Sequence, residues 1–227
     1  MNTAIIVAAG SGTRFGSKTP KQFLEILGKP LLIHTLFAFE KCSQIDEIVL
    51  VLSSNETAKF LKIVCKYNLK KLVKIVSGGK SRAESVLKGF NAIRPINAGI
   101  IAVHDGARPC VTVEEISQTI EKAKDTGAAC LVTSVTDTIK EICDGKITDT
   151  IDRNKLRRAL TPQAFRYDVL KRALQANDIG EIATDECYLV EKLGVAVSIV
   201  EGKSTNIKVT TQEDLAIAEQ ILKNNVI

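Results

Sequence analysis

Residues Ala8 to Gln22 read Ala-Ala-Gly-Ser-Gly-Thr-Arg-Phe-Gly-Ser-Lys-Thr-Pro-Lys-Gln, and these residue types suit the holding of a polyphosphate. Gly10, Gly12 and Gly16 let backbone N–H groups approach an anion with no Cβ in the way, while Arg14, Lys18 and Lys21 add full positive charges. The loop is neither of two familiar glycine loops. The dinucleotide fingerprint needs glycine at position 15, where Phe15 stands, and the P-loop needs four residues between glycines followed by Lys-Ser/Thr, whereas Gly12 and Gly16 enclose three.

Two further stretches carry chemistry. Gly78-Gly79-Lys80-Ser81-Arg82-Ala83-Glu84-Ser85 follows the apolar run Val73 to Val76. It offers backbone donors and hydroxyls to a polar ring, as a nucleobase would require. His104-Asp105-Gly106-Ala107-Arg108-Pro109 ends the apolar run Ile100 to Val103. Asp105 there suits a ribose hydroxyl or Mg²⁺ on phosphates, since that hard cation prefers oxygen. His104, beside a carboxylate at a strand end, reads as a satisfied structural residue, and His34, among leucines, as core or interface.

The elements that must position these loops are legible as alternating short apolar runs and helical periodicities, the pattern of a βαβ fold. Ala4 to Val7 is wholly apolar, as in a strand buried on both faces of a parallel sheet. Strands are expected at Ile48 to Leu52, Val73 to Val76, Ile100 to Val103, Ala128 to Val135 and Ala196 to Val200. Pro30 marks one helix start, with Leu32, Leu36 and Phe39 as its apolar stripe. Ser53 with Glu56, Ser81 with Glu84 and Thr112 with Glu115 make three capping boxes, and Gly127 ends the third of these helices. Further helices are expected near Tyr167 to Asn177, over Asp185 to Leu193, and from Thr211. The class is α/β: a Rossmann-like, mostly parallel twisted sheet with helices on both faces. Ligands in such sheets bind at the carboxyl ends of strands, where all three loops fall. Thr136 to Asp152 breaks the rhythm. Its two halves flank Asp144-Gly145, a hairpin signal. A lone two-stranded hairpin is marginal in water, so this arm should pack on its own body or on a second subunit.

At 227 residues and 45% hydrophobic, the chain can bury one sizeable core. A net charge of +5 without a basic run or interleaved aromatics points to small anions and away from nucleic acid. Six cysteines lie far apart with no Cys-x-x-Cys spacing, which suits free thiols in a reducing cytoplasm. The N-terminal apolar run has no basic flank and breaks at Gly10, so neither a signal peptide nor a membrane span is expected.

Gly-x-Gly-Thr-Arg-Phe-Gly followed by Pro-Lys-Gln resembles the signature of sugar-phosphate nucleotidyltransferases. The motifs Gly78-Gly79-x-x-Arg82-x-x-Ser85-Val86, His104-Asp105-x-Ala107-Arg108-Pro109, Asp137-Thr138, Asp152-Arg153-Asn154, Leu160-Thr161-Pro162-Gln163, Thr184-Asp185-Glu186 and Asn206-Ile207-Lys208-Val209-Thr210 follow in order along nearly the whole chain. Together they resemble the 2-C-methyl-D-erythritol 4-phosphate cytidylyltransferase family. Ribitol 5-phosphate cytidylyltransferases share the first loop and Asn-Ile-Lys-Val-Thr but typically differ around Asp-Arg-Asn and Thr-Asp-Glu. Departures from the pattern are Lys80-Ser81, Gly106 and Cys187-Tyr188; the first bears on the cytosine contacts. A metal-dependent glycosyltransferase would usually carry Asp-x-Asp where Asp105-Gly106-Ala107 stands, and a nucleotide sensor would not need Lys21.

The resemblance implies one nucleotidyltransferase domain over 1–227 that moves CMP from CTP onto methylerythritol phosphate and releases pyrophosphate. It implies that Arg14 and Lys21 stabilise the reacting α-phosphate and the leaving pyrophosphate, while Arg153 and Lys208 hold the acceptor phosphate. Nucleotide contacts are implied at Ala8, Ala9, Gly10, Gly12, Gly78, Gly79, Arg82, Ser85, Asp105 and Ala107. Acceptor contacts are implied at Arg108, Thr138, Thr161, Thr184 and Asp185, with Thr184 to Glu186 near the polyol hydroxyls, and Mg²⁺ or another divalent cation at Asp105. It also implies a homodimer, with the arm at about 136–153 completing the partner's site. The acceptor's phosphate monoester has a second pKa near ~6 and is ionised at neutral pH, so no general base is expected.

Overall fold

The computed structural model describes residues 1–10, 20–95, 98–176 and 185–224. Gly12, Arg14, Gly16, Lys18 and Thr184, each given a role by the sequence, lie outside the described residues.

In chain order the elements are β1 (Thr3–Ala8), β2 (Glu25–Ile26), β3 (Lys29–Pro30), α1 (Leu31–Lys41), β4 (Glu47–Leu52), α2 (Ser54–Val64), β5 (Leu72–Ser77), α3 (Arg82–Asn91), β6 (Ile100–Asp105), α4 (Val113–Thr126) and β7 (Ala128–Ser134). They continue with β8 (Ile139–Cys143), β9 (Lys146–Ile151), β10 (Arg157–Arg166), α5 (Tyr167–Ala176), α6 (Glu186–Lys192), β11 (Ser198–Glu201) and α7 (Gln212–Asn224). A seven-stranded sheet runs β11-β7-β10-β6-β1-β4-β5. All its neighbours are parallel except β10, which runs antiparallel to both β6 and β7.

Both faces of the sheet are covered, which is why its central strands are apolar throughout. In β1, Ala4, Ile6 and Ala8 face one cluster with Leu36 and Phe39 of α1, Phe60 of α2 and Ile116 and Ile120 of α4. Ile5 points the other way, with Val86 and Phe90 of α3, Leu170 of α5 and Val190 of α6. The period-2 alternation of a strand assigns each residue its cluster. A smaller cluster, with Ile26, Leu31, Cys110, Val209 and Ala218, seats α7.

Local signals held unevenly. Thr112 and Glu115 form the expected capping box at α4. Ser81 caps α3 through Glu84 N, but the Glu84 carboxylate takes the Lys80 N–H instead of closing the box. Ser53 makes no side-chain cap at all: the Glu56 N–H goes to the Ser53 carbonyl at 3.0 Å, and the Glu56 carboxylate accepts from Gln22 instead of closing the box. Pro30 immediately precedes α1 and pairs with Glu25 in a short ribbon. The last strand starts at Ser198, two residues later than the apolar run suggested. Strand β10 has no counterpart in the expected order. Pro162 lies in its middle, where a residue without an N–H argues against a central strand; the β7 pairing shifts register between Ala159 and Gln163, which accommodates it. Of the cysteines, Cys42, Cys110, Cys130 and Cys187 are buried thiols, but Cys65 and Cys143 are exposed.

The expected arm is the β8–β9 hairpin. Asp144 and Gly145 at its tip have φ of 49° and 74°, the paired positive values of a type I′ turn. Among the described residues, none of the helices is long and apolar enough to cross a membrane.

Candidate active site

Strands β1 and β6 lead at their carboxyl ends into one cavity of about 140 Å³, and the loop after β5 reaches it as well. Its lining includes Ala8, Ala9, Gly10, Lys21, Gly79, Arg82, Ser85, Asp105, Ala107 and Lys208, so residues 200 positions apart in the chain meet here. Gly78 lies just behind. A Cβ at Gly78 would stand 2.3 Å from the Ala9 Cβ and 2.9 Å from Ser85 Oγ, so only glycine lets the base loop close against the phosphate loop. Gly106 has the same logic: a Cβ there would meet Ala8 Cβ at 2.9 Å and Leu32 Cδ1 at 3.0 Å. In this packing glycine relieves the contact.

Asp105 is the electrostatic centre. Its Oδ1 takes Arg82 Nε at 3.0 Å. Its Oδ2 takes Lys208 Nζ at 2.8 Å and faces Arg108 Nε at 3.5 Å, close enough for ion pairing without a hydrogen bond. Burial alone would raise its pKa, but Arg82 and Lys208 outweigh burial and hold the carboxyl well below its ordinary range. Arg82 also grips Glu186, through Nη1 to both carboxylate oxygens at 2.7 and 2.9 Å. Its guanidinium is raised by Glu186 and Asp105 against its own burial. Burial pushes the Glu186 carboxyl up, with Arg82 opposing, and the two-oxygen contact keeps it an ionised partner.

Three strands of hydrogen bonds fix this arrangement from below. Lys21 Nζ donates to the Val209 carbonyl at 2.9 Å, and the Val209 N–H donates to the Ala107 carbonyl at 2.8 Å. Arg108 Nη1 donates to the Asn206 carbonyl, and Asn206 Nδ2 to the Thr161 carbonyl. The Thr161 hydroxyl accepts the Asp105 N–H at 3.1 Å and lies 3.0 Å from His104 Nδ1, while His104 Nε2 meets the Arg108 carbonyl at 3.3 Å. A carbonyl only accepts, so Nε2 carries the proton and Nδ1 accepts from Thr161. Burial depresses His104 to about 3; it is the neutral structural histidine expected.

The cavity thus gathers Lys21, Arg82 and Lys208, with Arg108 behind them, around the one carboxylate that lines it among the described residues. Such a surplus of positive charge at a strand end binds a polyanion. Other expected site residues fall elsewhere. Thr161 is buried with its hydroxyl already engaged, and Asp185 caps α6 through Tyr188 N while accepting from Gln163 Nε2. Thr138 and Arg153 are exposed at the root of the arm, where Arg153 donates to the Thr136 carbonyl. Arg82's clamp was not anticipated, because Glu186 turns inward rather than toward a polyol. Gln163, whose Oε1 accepts from the N–H groups of Glu186 and Cys187 at 3.2 Å each, had no assigned role either.

Among the described residues there is no group of three or more His, Cys, Asp or Glu able to hold a metal. Among the described residues lining the cavity, Asp105 alone offers a carboxylate, which matches the habit of Mg²⁺ of taking one or two carboxylates and completing its shell with water and phosphate oxygens.

Residues 2–224 match the family model described as IspD: 2-C-methyl-D-erythritol 4-phosphate cytidylyltransferase. The chain is similar to proteins named 2-C-methyl-D-erythritol 4-phosphate cytidylyltransferase from Bacillus licheniformis, at 42% identity covering 98% of this chain and 96% of the relative. That from Alkaliphilus metalliredigens is 44% identical over 97% of this chain and 92% of its own length. Among solved structures, the 4-diphosphocytidyl-2C-methyl-D-erythritol synthase of Anaerococcus prevotii superposes with a TM-score of 0.86 at 30% identity, covering 98% of this chain and 96% of that one.

Proposed function

The chain belongs to the 2-C-methyl-D-erythritol 4-phosphate cytidylyltransferase family, and from that premise we propose that the cavity around Asp105 is where it transfers CMP from CTP to 2-C-methyl-D-erythritol 4-phosphate. The products are pyrophosphate and the 4-diphosphocytidyl derivative. The observation that carries this assignment is the convergence of Lys21, Arg82 and Lys208 on one carboxylate at the strand ends, in a chain matched to the family almost end to end.

The chemistry asks little of acids and bases. The acceptor's phosphate oxygen is ionised at neutral pH and attacks the α-phosphorus of CTP as it stands. What the protein must supply is alignment of two anions that repel each other, and positive charge where negative charge accumulates. Lys21 would stabilise the α-phosphate and the departing pyrophosphate, a task the family resemblance also gives to Arg14. Lys208 and Arg153 hold the acceptor phosphate in line, with Arg108 and Thr138 near it. The backbone of Ala8 to Gly10 and the Gly78 to Ser85 loop take the nucleotide. Asp105 would hold Mg²⁺, whose contribution is to neutralise charge on the triphosphate. In the structure Lys208 occupies the Asp105 oxygen at 2.8 Å. Lys208 stands on the carboxylate that would hold the cation, within the same cavity in which it would meet the acceptor phosphate.

The molecule acts as a homodimer on this reading, each arm reaching the other subunit's acceptor site. The arm supports it: β8 is exposed along its whole length and β9 nearly so, with Ile142 at 69% and Ile147 at 65%.

The direct test is pyrophosphate release from each of the four NTPs, with methylerythritol phosphate and with ribitol 5-phosphate as acceptors. Turnover is expected with CTP and methylerythritol phosphate. Turnover confined to ribitol phosphate would replace the acceptor, and none with any pair would leave only nucleotide binding.

A further inference from the structure

We propose that Glu186 is a positioning residue for the nucleotide: it clamps Arg82 and so fixes where that guanidinium stands at the edge of the cavity. The inference rests on the assignment of the cavity to CTP. Glu186 is 1% exposed and does not itself line the cavity; it acts on the site only through Arg82. One guanidinium bridges two carboxylates, with Nη1 on both oxygens of Glu186 and Nε on Asp105. Its remaining nitrogen, Nη2, has no protein hydrogen bond among the described residues, and the side chain keeps 25% of its surface, where it borders the cavity. A planar fork anchored at Nε and Nη1 presents Nη2 in one orientation.

The support for Glu186 is itself constructed. Gln163, on the antiparallel strand β10, accepts the N–H groups of Glu186 and Cys187 and donates to Asp185 at 2.8 Å. Asp185 in turn caps α6 through Tyr188 N. Gln163 and Asp185 therefore hold the start of α6, and with it the Glu186 carboxylate, in place. Burying that carboxylate is costly, and apolar residues of similar volume often stabilise a fold as well as a buried ion pair does. A buried charge placed one residue from the cavity, and nowhere in contact with it, is explained by what it does to Arg82.

The test compares Glu186→Gln, Arg82→Gln and the double variant in steady-state kinetics, with thermal unfolding alongside. Glu186→Gln keeps the shape and loses the charge. It should raise the KM for CTP about 10-fold, the effect of weakening one charge-assisted contact, with kcat within about 3-fold and the KM for the acceptor unchanged. In the Arg82→Gln background the same change should add less than about 2-fold. A lowered Tm with unchanged KM for CTP would make Glu186 merely structural and overturn the proposal, as would a full effect persisting without Arg82. Should Glu186→Gln fold poorly, Glu186→Asp, which keeps the charge and shortens the reach, must show the same selective rise in KM, and a wild-type KM there is equally fatal. A wild type that fails to turn over CTP is a different result and defeats the cavity assignment instead.

Discussion

At Asp105 a single carboxylate is met by Arg82, Lys208 and Arg108, more positive charge than it can neutralise, and the surplus is what the site offers to phosphate. The neighbouring His104 serves the same loop in the opposite way, by staying neutral. Its ordinary pKa is 6.5 and burial lowers it to about 3 in the fold. Between these values the unfolded chain binds a proton that the native protein refuses, so stability is full above the unfolded value and falls as pH drops toward the folded one. One such site contributes a slope of about 1.4 kcal/mol per pH unit. His34 is also lowered by burial and adds in the same direction, whereas the lowered Asp105 loses its contribution only further into acid. Urea titrations at about pH 7, 6 and 5 should therefore give a His104→Asn variant whose stability declines less steeply than wild type, by close to the single-site slope below about pH 6. Equal slopes would mean that His104 is not held neutral. Its structural character was readable from its place beside Asp105; the bond to Thr161 that fixes its tautomer was not, because the two residues are 57 positions apart.

Elements were legible where their signal is local. Strand β1, α1 and the type I′ turn follow from apolar runs, a stripe and an Asp-Gly pair within a few residues of themselves. Strand β10 was not, since its place between β6 and β7 is set by long-range pairing and its own residues argue against it at Pro162. Helix caps show the same limit at smaller scale. Three Ser/Thr-x-x-Glu sequences look alike, yet only Thr112 with Glu115 closes into a full box, and Glu115 further accepts the Lys203 N–H at 2.8 Å. At Ser53 the side-chain cap is missing because the Glu56 N–H goes to the Ser53 carbonyl, while the Glu56 carboxylate serves Gln22, the residue next to Lys21. Identical motifs should therefore differ in energy. Thr112→Ala should cost about 1 kcal/mol of unfolding free energy, the usual loss of an N-cap, while Ser53→Ala should stay within about 0.5 kcal/mol, the range of an ordinary surface change. Chemical denaturation of the two variants checks this, and a Ser53→Ala loss as large as that of Thr112→Ala would contradict the observed caps.

On the scale of the whole molecule, the arm is the feature the monomer does not explain. Its two strands pair only with each other among the described residues, and a lone hairpin with Ile142 and Ile147 in solvent is marginally stable and costly to expose. Arg153 sits at its root, exposed, whereas Lys208 lies in the cavity on Asp105. A two-fold axis that lays each arm on the other subunit would cover the isoleucines and deliver Arg153 reciprocally to the partner's acceptor site. Arg153 then acts in trans to Lys208. Arg153→Ala and Lys208→Ala should each be inactive alone, but a mixed dimer holds one site with both wild-type cations and one with neither. Random reassortment makes about half the dimers mixed, each with one competent site of two, so activity should recover to about a quarter of wild type by this symmetry. With the arm working in cis every site keeps a defect, and the mixture stays inactive. Subunit exchange is verified by native mass spectrometry before the assay; exchange without recovered activity would end the trans assignment.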